Sequence, residues 1–211
     1  MKCINNKLYI SYSELSPDEG RLYIVQIHNF LIKLNWEYSD FTKWFSNLFV
    51  DGISLKHDRE IIVCESDFQI VGIAILKSDE IEKKICTLRV AKPFQKQGIG
   101  KQLIELSFEW LNDDKPLITI HNSKKHEFNK LFNHYNFKLE EKKWGYYNLF
   151  STELVFNGSL PEKKMFLNEL EIIDLKEQVK NFLLLKEEHF ESFVAQWLYF
   201  QWLQNSKKII Q

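Results

Sequence analysis

A chain of 211 residues, 45% hydrophobic and 15% aromatic, has the apolar surface for one large domain or a domain with an extension, and no segment is disordered by composition. Its formal net charge of −1 predicts neither a nucleic-acid partner nor an acidic substrate, and with Arg21, Arg59 and Arg89 as the only arginines, bidentate phosphate or carboxylate clamps are scarce. Cys3, Cys64 and Cys86 are odd in number and form no CxxC pair, no signal-like run opens the chain, and the longest apolar stretch, Phe193 to Leu203, is too short for a bilayer, so the expectation is a cytoplasmic protein without disulfides, metal or membrane contact.

Leu8, Ile10 and Tyr12 alternate with polar residues and predict a first strand. Ser16-Pro17-Asp18-Glu19 then spells a helix start, with Ser16 as N-cap, Pro17 at the first helical position and Glu19 closing a capping box; Tyr23, Ile27, Phe30, Leu31 and Leu34 share one side of that helix. A second short helix is expected from Asp40 to Phe49. "REIIVCES" and "QIVGIAILK" read as a hairpin turning at Ser66-Asp67-Phe68, and "KKICTLRVA" as a third strand. A helix carrying Leu103, Leu106, Phe108, Trp110 and Leu111 ends near Asn112-Asp113. "PLITIHN" is a buried strand, "KHEFNKLFNHYNF" a helix closing at Asn136, and two strands follow, about Lys138 to Tyr147 and Glu153 to Phe156. "NGSLP" breaks the pattern. Beyond it the chain reads as helical and apolar on nearly all faces, with Phe190, Phe193, Val194 and Trp197 in one stripe, which calls for cover by the main domain or a second copy of the chain. The predicted division is 1–158 and a C-terminal helical extension, 159–211.

Two of the seven glycines fall at one strand-to-helix junction, Phe94-Gln95-Lys96-Gln97-Gly98-Ile99-Gly100-Lys101. A nucleoside-triphosphate loop would need a Gly where Gln95 stands and Ser or Thr where Gln102 stands; a dinucleotide fingerprint would need Gly in place of Leu103 and a βαβ unit around it. Gln95, Gly98 and Gly100 instead complete a Gln/Arg-x-x-Gly-x-Gly loop. Such a turn aims successive N–H groups at a helix N-terminus, a concavity of partial positive charge suited to a pyrophosphate, and glycine lets the backbone approach closely. Lys96 and Lys101 add attraction.

This segment, "LRVAKPFQKQGIGKQLIELSFEWL", resembles the acetyl-CoA-binding segment of the GNAT acyltransferase superfamily, and "IVGIAIL", "PLITI" and "LFNHYNF" resemble its flanking strands and closing helix, over about Ile61 to Phe156. The resemblance implies an α/β fold with a mixed, mostly antiparallel sheet, splayed central strands and flanking helices. It implies acetyl-CoA as co-substrate, its pantetheine between the splayed strands and its pyrophosphate on Gln95, Lys96, Gln97, Gly98, Ile99, Gly100 and Lys101. Leu88 and Val90 join the cofactor set, with Val90 at the place of the strand bulge whose N–H polarises the thioester carbonyl. The asparagine usual at the start of the closing helix is displaced: Lys125 stands there by count, and Asn122 precedes it by three residues.

The general-acid tyrosine usual in such domains falls on Phe132, five residues before Phe137, which has no proton to give. Tyr135 lies about 300° around an ideal helix from that place and, with Tyr146 and Tyr147, is a substitute; solvent is another. The glutamate that some relatives carry on the strand before the loop falls on Lys84, and Glu82, two residues earlier on the same face, is the candidate base. Cys86 shares that face and reads as a small cleft-lining residue. His121 and His126 read as surface or capping residues. Trp36, Tyr38, Trp44 and Phe45 read as core packing or as the wall of an acceptor site.

The function expected is N-acetyl transfer to the primary amine of a small molecule or peptide, with a possible homodimer through the C-terminal helices. The competing expectations are a toxin-type aminoacyl-tRNA acetyltransferase, the one reading that brings nucleic acid as partner, and a CoA-binding module without catalysis.

Overall fold

The computed structural model describes residues 1–36, 38, 41–147 and 151–162, the side chains of 35 and 36 excepted. The chain divides into two compact units, Met1–Pro161, which holds the sheet, and Glu162–Gln211. The expected C-terminal helices, with Phe190, Phe193, Val194 and Trp197, and the side chain of Trp36 lie outside the described residues.

Among the described residues the strands are β1 (Lys2–Ile4), β2 (Lys7–Ser11), β3 (Arg59–Ser66), β4 (Gln69–Ser78), β5 (Lys83–Val90), β6 (Leu117–His121), β7 (Leu139–Trp144) and β8 (Thr152–Phe156), and the helices are α1 (Pro17–Leu31), α2 (Phe41–Ser46), α3 (Ile99–Leu111) and α4 (Lys125–His134). The strands form one sheet in the order β1-β2-β3-β4-β5-β6-β8-β7. Every pairing is antiparallel except β5 with β6.

Side-chain alternation divides the core between the two faces of the sheet. Ile61, Val63, Ile73 and Ile75 pack with Ile27 and Leu31 of α1 and Phe41 and Phe45 of α2. Ile62, Ala74, Leu76, Ile85, Ile118 and Leu154 point the other way and pack with Leu103 and Ile104 of α3 and Phe132 of α4.

The start of α1 follows its sequence. The Ser16 side chain accepts from the Glu19 N–H, the Glu19 carboxylate accepts from the Ser16 N–H, and Pro17 opens the helix. The α1 helix stops at Leu31, before the expected Leu34, and continues as a 3-10 turn, Ile32–Trp36. The α2 helix stops at Ser46 rather than Phe49, which instead forms a bridge with Leu55. The β1 strand has no counterpart in the expected elements. It joins β2 through Asn5 and Asn6, both at positive φ (50° and 58°), the geometry of a two-residue hairpin turn that asparagine tolerates.

Candidate active site

The β5 and β6 strands pair at two positions, Lys84 with Leu117 and Ile85 with Ile118. From Cys86 onward β5 keeps its ladder to β4 and leaves β6, while β6 keeps its ladder to β8. The sheet therefore opens into a splay whose closed end is Lys84–Ile85. The Ala91 N–H donates to the Val71 carbonyl, so alternation aims the backbone groups of Arg89 toward β4 and those of Leu88 and Val90 into the splay. The Val90 carbonyl is met there by the Gln95 side-chain amide, 3.2 Å away.

One expectation is corrected at this point. The bulge in β5 lies at Cys86, where the pairing steps from Ile75–Thr87 to Leu76–Ile85, and not at Val90, which sits in regular register opposite Gly72.

At the open end of the splay the chain turns through a 3-10 segment, Lys92–Phe94, into the loop and then α3. Lys96 and Gly98 hold the left-handed conformation, at φ 62° and 86°. Gly98 is the N-cap of α3 and supplies no side-chain cap. The N–H of Gln102 donates to the Gly98 carbonyl, the first bond of the helix. The six N–H groups before it, Lys96 through Lys101, donate to no acceptor among the described residues. Unpaired N–H groups converging at a helix N-terminus carry partial positive charge. Gln97, Gly98, Ile99 and Lys101 also border a cavity of about 470 Å3 on the side of the β1–β2 turn.

One glycine sets this geometry, and a second lines the same space. A Cβ on Gly72 would stand 2.9 Å from Cγ2 of Ile99 and 3.1 Å from Cδ1 of Leu103, so its absence is what lets the first turn of α3 lie on β4. A Cβ on Gly100 would reach toward Val90 and Leu131, both at 3.8 Å, in the space between β5 and α4.

A second group of residues collects at the closed end, on the face of α1 and α2. Lys84 is 8% exposed, and its ammonium donates to the Tyr147 hydroxyl at 3.3 Å. Burial alone would drive this ammonium toward neutrality, but the Tyr147 phenol, the Cys86 thiol and the Glu82 carboxylate hold its pKa above the ordinary lysine value. Tyr147 meets Tyr38 and Tyr146 edge to face, with ring centroids 5.4 and 4.7 Å away. Burial pushes the Cys86 thiol up, against the pull of the Lys84 charge, which makes it a poor thiolate at neutral pH.

The candidate acid and base stand differently from their sequence readings. Glu82 precedes β5, in the turn from β4, and accepts from Lys77 at 2.8 Å; Lys77 also pairs with Asp79 at 2.6 Å. Tyr135, the C-cap of α4, lies against α3, where its hydroxyl donates to Glu105 at 3.1 Å. Burial and the Glu105 carboxylate raise its pKa, the opposite of what a general acid needs. Tyr135 therefore joins neither the splay nor the Lys84 group. Phe132 is 3% exposed and stacked among Phe128, Phe137 and Phe156, with ring centroids between 4.6 and 5.1 Å. His121 caps the 3-10 turn that begins at Asn122: its Nδ1 accepts from the Ser123 N–H. Asn122 is exposed at the end of β6, and α4 begins at Lys125. Phe45 is buried in the α1–α2 core with Trp44 packed beside it.

Sequence reasoning did not single out Lys84 as more than a displaced glutamate, nor its bond to Tyr147. A buried cation written into a strand is the signal that marks it.

A profile of the acetyltransferase (GNAT) domain matches residues 40–143. Residues 40–143 thus carry a GNAT acetyltransferase domain. Among solved structures, a GNAT-family protein from Desulfovibrio desulfuricans is similar at a TM-score of 0.52, with 11% identity over 71% of this chain and 96% of that one. A GNAT acetyltransferase from Elizabethkingia anophelis, crystallised with acetyl-CoA bound, gives 0.49 and 16% over 74% and 100%. Nourseothricin acetyltransferase gives 0.44 and 14%, and this chain covers 64% of its length. No curated protein matches the chain. No described helix is long and apolar enough to cross a membrane.

Proposed function

We propose that this chain is an acetyl-CoA-dependent N-acetyltransferase that acts on a primary amine by direct attack. The observation that carries the reading is the run of N–H groups from Lys96 to Lys101 with no protein acceptor among the described residues, at the mouth of a strand splay. A pyrophosphate on that run would place the pantetheine arm along Leu88 and Val90 and the thioester toward the closed end. The Leu88 N–H, two residues past the Cys86 bulge and aimed into the splay, is then the group that polarises the thioester carbonyl.

In this reading the neutral amine attacks the carbonyl carbon, a C–N bond forms, and the C–S bond breaks. The amine proton passes to Glu82, directly or through water, and solvent protonates the thiolate, whose conjugate thiol has a pKa of about 8.5. Asn122, exposed at the head of the α4 segment, completes the cofactor side. Residues 159–211 form a separate helical extension in this reading, and truncation after Gly158 should cause aggregation or loss of a dimer.

The test is acetyl-CoA binding by calorimetry together with thiol release over a panel of amines. Binding that Gly98→Arg abolishes, with release that depends on the amine, supports the reading; binding untouched by Gly98→Arg overturns it. One observation favours a second reading, a CoA-binding module without turnover: Phe132 fills the place of the usual acid with an aromatic core contact. Tight binding with no release over the whole panel would establish that alternative.

A further inference from the structure

Three cations gather around the Cys86 bulge: Arg59, Lys77 and Lys84. Arg59 pairs with Asp58 at 2.6 Å, and Lys77 with Asp79 and Glu82. Lys84 is the most buried of the three and the one with no carboxylate at ion-pair distance among the described residues, Glu82 acting on it from farther off. Its ammonium has three protons to donate, and the Tyr147 hydroxyl takes one. A buried charge without a counter-ion is costly unless something else supplies the anion. Lys84 sits in the two-pair β5–β6 seam, one residue before the last pair at Ile85 and on the face of α1 and α2, so what it holds lies near the point where the splay closes. Tyr38, Tyr146 and Tyr147 wall the same place with rings.

We propose that Lys84 and Tyr147 form a carboxylate-binding subsite for the acceptor, so that the amine acetylated belongs to an amino acid or another compound carrying amine and carboxylate together, with an apolar or aromatic body against the tyrosines. The carboxylate accepts from the remaining Lys84 protons, the Tyr147 hydroxyl holds the ammonium in place, and this anchor orients the amine toward the thioester. The inference rests on the transferase reading for its chemistry and on the Lys84 geometry for its specificity.

The experiment uses the full chain with acetyl-CoA and paired acceptors that differ only in the acid: phenylalanine against phenylalaninamide and phenethylamine, and β-alanine against propylamine. Wild type should prefer the carboxylate member of each pair at least tenfold in kcat/KM. Lys84→Met should erase that preference chiefly through KM, Lys84→Arg should keep most of it, and Tyr147→Phe should reduce it severalfold. Binding of phenylalanine to the protein saturated with CoA, followed by calorimetry, should weaken at least tenfold in Lys84→Met, and this readout needs no turnover. If no amine is acetylated while phenylalanine still binds in a Lys84-dependent way, the transferase reading fails and the subsite stands. Equal or better use of the neutral partners, with phenylalanine binding unchanged in a folded Lys84→Met, overturns the proposal. Intact-mass detection of acetyl on Lys84 itself would also overturn it, since that lysine would then be the acceptor.

Discussion

The two ends of the splay are built from different materials. At the open end the chemistry belongs to the backbone: six N–H groups, two left-handed residues and a glycine N-cap, with Lys96, Gln97 and Lys101 exposed and Ile99 turned into the core. At the closed end it belongs to side chains: a buried ammonium, a phenol, a thiol and a ring wall, drawn from strands and loops far apart in the chain. A cradle made of backbone tolerates changes of side chain but not of conformation, while the closed end has the opposite tolerance. If the proposed function and subsite hold, substitutions at the two ends should separate cofactor binding from acceptor choice.

The sharpest break is Gly98→Arg. The φ of 86° costs a non-glycine residue about 1–2 kcal/mol, and the added side chain stands where the N–H groups converge. Acetyl-CoA binding should vanish in calorimetry while the circular-dichroism spectrum is kept; wild-type affinity would mean the two ends are not divided this way. Gly72→Val acts on the open end from behind, because its side chain meets Ile99 and Leu103. Overpacking of this kind costs about 1–3 kcal/mol, so thermal melting should fall and acetyl-CoA binding weaken together as the first turn of α3 is displaced.

Phe132→Tyr asks whether the usual acid can be restored by one atom. The ring is packed among three phenylalanines, so the hydroxyl would be buried without a partner at a cost of about 1–3 kcal/mol. Melting should fall with no gain in thiol release; a faster enzyme would show that α4 can turn that side chain into the splay. Cys86→Ala should leave turnover in place and cost about 1 kcal/mol of stability, whereas abolished turnover would identify a covalent intermediate in place of direct attack.

The smallest effect is acid sensitivity. Asp79 is held down to about 2 by Lys77 and by N–H groups of its own turn. A carboxylate whose folded pKa is depressed adds stability that is full above its unfolded value, about 3.9, and is lost as pH falls toward about 2. Asp79→Asn should flatten the loss of melting temperature across that window, and an unchanged slope would show that the ion pair does not persist in solution.

The open end was legible in the sequence because it depends on glycine and on a local register. Gln95, Gly98 and Gly100 could be matched by position, and the capping box at Ser16 and Glu19 worked for the same reason. The bulge was not legible. It arises where β5 leaves β6 and must still pair with β4, a condition set by two other strands, and nothing in Cys86-Thr87-Leu88 announces it. The Lys84–Tyr147 bond joins residues 63 apart in sequence and was out of reach for similar reasons. The β1 strand was missed because three mostly exposed residues carry no alternation; the Asn5-Asn6 pair was its signal.

The seam between β5 and β6 is only two positions long. Past Ile85 and Ile118 the facing edges of β5 and β6 have no strand partner among the described residues, and an open edge is a template for another chain's backbone. Filling the splay is equivalent to inserting the missing strand. Under the proposed function acetyl-CoA would brace this sheet as well as react on it, and protein stored with it should resist both heat and aggregation.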